Sequence, residues 1–240
     1  MSAPVTATDG SSGYSEQGCG GLRALLTARD SHGTIGGMNV VFDLGGVVLT
    51  WEPEKLIAAH FPDPKEADLI RARLFRHQDW VEMDRGSMTV AEAGVRAAAR
   101  TGLARERIER ILYAIPPSLG LIPETVDLIN RLRAAGRKVF ALSNMPFPSI
   151  EHLETKESFR KLFDAAVISC RINLVKPDAA IFEHLLSAHC LAASETIFFD
   201  DTLENVEGAR LCGLDAEVFT TADACRARLE SGGYLAAGAE

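Results

Sequence analysis

The chain has 240 residues, 47% of them apolar, and a formal net charge of −8. This length suits one α/β domain carrying an inserted smaller unit, or two small domains. The negative balance argues against nucleic acid as a partner, since phosphate backbones need basic surface, and no apolar run approaches the ~20 residues that cross a bilayer.

Residues 1–37 are rich in Ser, Gly, Thr and Ala and have no apolar stretch able to pack alone, so they are expected to form a disordered N-terminal extension. The first strand is expected over Asn39 to Leu49, an apolar β-branched run interrupted by Asp43 and then by Gly45 and Gly46. Between Thr50 and Leu121 only helical periodicity appears: Pro53 to His60, Lys65 to Val81, Thr89 to Arg100 and Arg105 to Ala114. Asp63-x-x-Glu66 and Thr89-x-x-Glu92 have the form of helix starts. That stretch is too long for an ordinary crossover and reads as a helical cap inserted after the first strand.

A helix over Glu124 to Ala135, stopped by Gly136, leads to a second strand, Lys138 to Leu142. Further strands are expected at Ala165 to Ser169, Thr196 to Phe199 and Ala216 to Phe219, separated by helices near Asp178 to His189 and Glu204 to Leu211. Strands spaced by such helices make βαβ units. The expected fold is therefore α/β: a Rossmann-like parallel sheet flanked by helices, with a core from residues 38–51 and 120–235 and an all-helical cap from 52–119. Five cysteines (Cys19, Cys170, Cys190, Cys212, Cys225) are odd in number and form no CxxC pair. Reduced thiols and a cytoplasmic setting suit that pattern better than disulfides or zinc, with Cys170 and Cys212 as small core residues.

Four strand ends carry polar residues: Asp43, then Ser143-Asn144, then Lys176-Pro177-Asp178 opening a helix, and Asp200-Asp201. Right-handed crossovers bring all four to one edge of the sheet. Carboxylates, a hydroxyl, an amide and a lysine together suit phosphoryl transfer, in which hard oxygens hold Mg²⁺ and a cation with hydrogen-bond donors holds phosphate.

The segments Phe42-Asp43-Leu44-Gly45-Gly46-Val47, Leu142-Ser143-Asn144, Val175-Lys176-Pro177-Asp178 and Phe198-Phe199-Asp200-Asp201, with Asn205-Val206-Glu207-Gly208-Ala209, resemble the four signatures of the haloacid dehalogenase superfamily. The first and last look most like the bacterial sugar-phosphatase branch that includes glucose-1-phosphate phosphatases. The resemblance implies that Asp43 is the nucleophile and that Lys176 orients it and holds phosphate with Ser143, Asn144 and Gly46. It also implies that Asp43, the Gly45 carbonyl, Asp200 and Asp201 hold Mg²⁺. Asn205 is expected to cap or brace the helix behind the acidic loop rather than to touch substrate. Many phosphatases of this kind carry a general acid/base Asp where this chain has Gly45, so the protonation role has no residue there.

The expected activity is a Mg²⁺-dependent phosphatase of small phosphorylated metabolites, sugar phosphates above all, acting as a monomer or homodimer. A 2-haloacid dehalogenase uses the same nucleophile without metal, but the Asp200-Asp201 doublet argues against it. A fold-retaining binding or regulatory protein is the third reading, against which the intact Asp43, Lys176 and Asp200 count. Cap residues within Arg71 to Arg85, among them His77, Trp80 and Arg85, are candidate substrate contacts, and Trp51 marks the hinge into the cap.

Overall fold

A computed structural model describes residues 38–238, so the N-terminal extension and Cys19 lie outside the described residues. Five strands, β1 (Asn39–Phe42), β2 (Lys138–Ser143), β3 (Ala165–Ile168), β4 (Thr196–Asp200) and β5 (Asp215–Val218), form one sheet in the order β3-β2-β1-β4-β5. All pairings are parallel, with Phe42 opposite both Ala141 and Phe199. β1 is thus central, and its carboxyl end lies between those of β2 and β4.

Between β1 and β2 the chain forms α1 (Pro53–His60), α2 (Pro64–Ile70), α3 (Gln78–Arg85), α4 (Val90–Thr101), α5 (Arg105–Ser118) and α6 (Pro123–Ala134). After β2 come α7 (Phe147–Glu154) and α8 (Glu157–Arg160), then α9 (Ser169–Ile172) and α10 (Ala179–Ala188) after β3, α11 (Leu203–Leu211) after β4, and α12 (Ala222–Ser231) after β5. Successive strand residues face opposite ways. Val40 and Phe42 therefore pack with Leu128, Leu132, Leu153 and Leu229 from α6, α7 and α12. Val41 packs on the other face with Phe182, Leu185, Val206 and Ala209 from α10 and α11. Cover on both faces is why these strands read as unbroken apolar runs.

The first strand is shorter than expected. Regular pairing ends at Phe42, and the Leu44 carbonyl accepts the N–H groups of Val47, Val48 and Leu49 at 3.3, 2.9 and 2.8 Å, folding the rest of the apolar run into a tight loop. Val47, Val48 and Leu49 remain fully buried, so hydrophobicity alone could not mark where the strand stops. The helical stretch expected over Lys65 to Val81 is also broken. α2 passes through a π-helical turn at Arg71–Phe75, and a new helix starts after His77, whose extended backbone lets Nδ1 accept the Asp79 N–H at 3.1 Å.

Helices α1 to α5 bury Ile57, Phe61, Ile70, Leu74, Met83 and Ile111 in a cluster of their own. Trp51 packs against both this cluster and the sheet core. The chain's exit from the sheet and its return run side by side: Thr50 N–H donates to the Gly120 carbonyl at 2.8 Å, and Gly120 N–H to Thr50 Oγ1 at 3.0 Å. Both sequence-marked helix starts are capped, Asp63 accepting from the Lys65 and Glu66 N–H groups and Thr89 forming a reciprocal box with Glu92. Cys170 is buried as expected, whereas Cys212 is only partly so.

Candidate active site

Asp43 follows β1 directly, and its N–H continues the ladder to the Phe199 carbonyl at 2.8 Å, which places it beside Asp200 at the end of β4. Lys176 lies on the loop before α10 and is almost wholly buried. Its ammonium stands 2.8 Å from Asp43 Oδ1 and 2.5 Å from Asp200 Oδ2, and it donates to the Leu142 carbonyl at 3.0 Å. The flanking carboxylates raise the pKa of the lysine against the opposing effect of its burial, so the ammonium form is retained.

Asp200 is fully buried and fully engaged. Besides Lys176, it accepts from the Thr202 N–H at 2.8 Å and from Asn205 Nδ2 at 3.0 and 3.1 Å. Asn205 therefore braces the acidic loop from α11. Asn144 is clamped to the lysine loop: its Nδ2 donates to the Lys176 carbonyl at 3.0 Å and its Oδ1 accepts the Lys176 N–H at 2.8 Å. Gly208 lets α11 approach that loop, since a Cβ there would lie 2.6 Å from the Pro177 carbonyl oxygen. These contacts fix the loop against the end of β4, across a Lys176–Pro177 peptide that is cis.

Asp43, Asp200 and Asp201 each offer an oxygen, and the three atoms lie within 4.8 Å of one another. Asp43 Oδ1 is buried and lacks a hydrogen-bond partner despite its nearness to Lys176. Burial pushes the Asp43 carboxyl up to about 6, Lys176 pulls it down and Asp200 raises it again. Asp201 is raised as well, first by burial and then by Asp200. Three carboxylates clustered around a single ammonium form a set of hard donors that suits a divalent cation such as Mg²⁺.

A cavity of about 420 Å³ opens over this edge, lined by Asp43, Gly45, Asn144, Lys176 and Asp201 on the sheet side. The insert covers it with Trp51, Trp80, Met83, Leu112 and Ile115. Trp80 stacks on Phe75 with ring centroids 4.8 Å apart and meets Trp51 at 5.8 Å. Ser143 is buried at the end of β2 and, like Gly46 and Asp200, does not line the cavity.

Residues 38–213 match the family of haloacid dehalogenase-like hydrolases. The chain belongs to that family. As a haloacid dehalogenase-like hydrolase it is 27% identical, over 174 residues, to the sesquiterpene phosphatase astK of Aspergillus oryzae (strain ATCC 42149 / RIB 40), an alignment covering 72% of this chain and 85% of that protein. It is 25% identical to the drimenol cyclase drtB of Aspergillus calidoustus, over 79% of this chain but only 35% of that longer protein. Its fold superposes on a family enzyme from Bacteroides thetaiotaomicron, solved with magnesium and inorganic phosphate, with a TM-score of 0.58 at 19% identity, covering 77% and 95% of the two chains.

Of the cap residues singled out in the hydrolase sequence, Trp80 lines the cavity and the other two do not. His77 caps α3, and Arg85 turns to the core, 3.4 Å from the Asn173 carbonyl and 3.7 Å from Asp178. Asp84 falls within the Arg71 to Arg85 stretch but is not among the residues singled out there; it is a buried carboxylate that does line the cavity. Its one signal was position: it stands one helical turn after Trp80, on the same face.

Proposed function

We propose that this hydrolase is a Mg²⁺-dependent phosphatase of small phosphomonoesters that works through an aspartyl-phosphate on Asp43. The observation carrying the reading is Lys176, buried between Asp43 and Asp200 at the floor of a cavity rimmed by Asp201. Asp43 attacks phosphorus, a new Asp43 O–P bond forms and the ester P–O bond breaks. Lys176 keeps Asp43 oriented and offers positive charge to the phosphoryl oxygens, while Ser143 stays buried behind the cavity lining. Asn144 and Asn205 hold Lys176 and Asp200 in place through the hydrogen bonds described above. Asp43, Asp200, Asp201 and the Gly45 carbonyl are the ligands proposed for Mg²⁺, which when bound neutralises charge on the phosphoryl group.

The lining bears on the alcohol. A sugar needs several hydrogen-bonding groups around its hydroxyls, whereas the lining contributed by residues 51–119 is apolar apart from Asp84, with Trp51, Trp80, Met83, Leu112, Ile115 and Leu119. An apolar alcohol therefore suits it better than the sugar implied by sequence resemblance, and the sesquiterpene phosphatase among its relatives supports the same class. A haloacid dehalogenase would have no use for the paired Asp200 and Asp201 facing Asp43 within 4.8 Å.

The test is release of phosphate from p-nitrophenyl phosphate, with Mg²⁺ or EDTA, by wild type and Asp43→Asn, followed by a panel of prenyl, alkyl and sugar phosphates. Mg²⁺-dependent turnover lost in the variant is the expected result. Turnover indifferent to EDTA or to the substitution would overturn the reading, and preference for sugar phosphates would overturn the assignment of an apolar alcohol.

A further inference from the structure

Helix α3 carries two buried carboxylates of opposite circumstance. Asp79 is neutralised by Arg100 at 2.6 Å and by Arg96 at 3.6 Å. Asp84 makes no ion pair among the described residues, although it is 9% exposed. A buried carboxylate without a cation is costly, and such groups gather where chemistry needs them.

Its location is fixed from outside the cap. Ser169 Oγ donates to the Asp84 carbonyl at 2.5 Å and accepts the Met145 N–H at 2.9 Å, so the core grips the end of α3 at this residue. Gly86 permits the approach: it has φ +83, and a Cβ there would lie 2.5 Å from the Cys170 carbonyl oxygen. Asp84 thereby lines the same cavity as Asp43 and Lys176, brought to it by the cap.

Four lining residues can exchange a proton: Asp43, Lys176, Asp201 and Asp84. The first is the proposed nucleophile, the second is held by two carboxylates and a carbonyl, and the third belongs to the proposed cation site. No acid stands at position 45, which is Gly. We propose that Asp84 is the general acid and base of the reaction, supplied by the cap. The inference rests on the phosphatase reading above. In the first step the ester P–O bond breaks with its electron pair on the alcohol oxygen, and the Asp84 carboxyl gives that oxygen its proton, leaving the alcohol and an Asp84 carboxylate. In the second step water attacks phosphorus and yields one proton to Asp84, while the P–O bond to Asp43 breaks and returns the Asp43 carboxylate. Both residues are restored and one water is consumed.

The state of the group agrees with the geometry. Burial, reinforced by the charge of Asp43, pushes the Asp84 carboxyl up to about 8, against opposing effects of Lys176 and the Trp80 side chain. It therefore holds a proton near neutrality, as a general acid must.

The experiment measures kcat/KM of the Mg²⁺-loaded full chain on aryl phosphates of similar size, from p-nitrophenyl through phenyl to p-methylphenyl, in wild type, Asp84→Asn and Asp84→Glu. A p-nitrophenolate leaves without help, whereas the more basic phenolates need a proton. Asp84→Asn, its folding checked by circular dichroism, is expected to lose least in kcat/KM on p-nitrophenyl phosphate and progressively more, toward ~10²-fold, on p-methylphenyl phosphate. Asp84→Glu is expected to restore part of that loss. An equal loss across the series, or none, would overturn the assignment of Asp84 while leaving the phosphatase reading intact. Wild type inert on the whole series would overturn the phosphatase reading and this inference with it.

Discussion

Gly46 and Asp201 touch so closely that a Cβ on Gly46 would fall 2.2 Å from Asp201 Oδ2. Gly46 also sits at φ +75, where a side chain strains the backbone. Gly46→Ala is expected to displace the Asp201 carboxylate and to cost about 1–2 kcal/mol in backbone strain. A Mg²⁺ titration of activity should then need more Mg²⁺ for half-maximal rate; an unchanged titration would refute this coupling.

Lys176 separates two carboxylates that would otherwise face each other in a buried site. Lys176→Met, in EDTA, is expected to lose about 3–5 kcal/mol of stability, because the carboxylates are left without their cation. Mg²⁺ should recover more of the thermal midpoint in the variant than it adds to wild type. Equal Mg²⁺ shifts in both proteins would argue that the metal and Lys176 do not share those carboxylates.

Asp84 should make the protein less stable where it ionises. Its carboxyl titrates near 3.8 when unfolded and is pushed up to about 8 by burial in the folded chain. Between those values the folded state binds the extra proton, so stability falls as pH rises from about 4 to about 8. Asp84→Asn removes this dependence. In EDTA the variant should gain on wild type across that window, by up to a few kcal/mol at pH 8. Midpoints in denaturant measured at both ends of the window check this; a variant less stable than wild type at pH 8 would mean that Asp84 is there for structure.

Gly208 offers a prediction of sign. At an exposed helical site Gly→Ala stabilises by ~1 kcal/mol, but a Cβ at Gly208 would lie 2.6 Å from the Pro177 carbonyl oxygen and 3.0 Å from Pro177 Cβ. Gly208→Ala is therefore expected to destabilise by about 1–3 kcal/mol. By pushing the loop that carries Lys176, it should also lower kcat more than it changes KM. Raised thermal stability with normal kcat would contradict the close packing of α11 on that loop.

The sequence by itself determined the parallel α/β architecture, the helical insert after β1 and the meeting of Asp43, Lys176 and Asp200 at one sheet edge. Period and chain direction suffice for this: strands buried on both faces read as apolar runs, and right-handed crossovers send their carboxyl ends to the same side. Tertiary structure alone decided the rest. β1 stops at Phe42 because the Leu44 carbonyl gathers three N–H groups into a loop, a choice invisible in an apolar run that stays buried either way. Asn144 grips the backbone of Lys176, a residue 32 positions away, and Ser169 grips Asp84 across 85. Helical periodicity shows that Trp80 and Asp84 share a face, but which surface that face meets depends on packing between distant segments. That packing pairs one of two buried aspartates on α3 with Arg100 and seats the other in the cavity that Asp43 also lines.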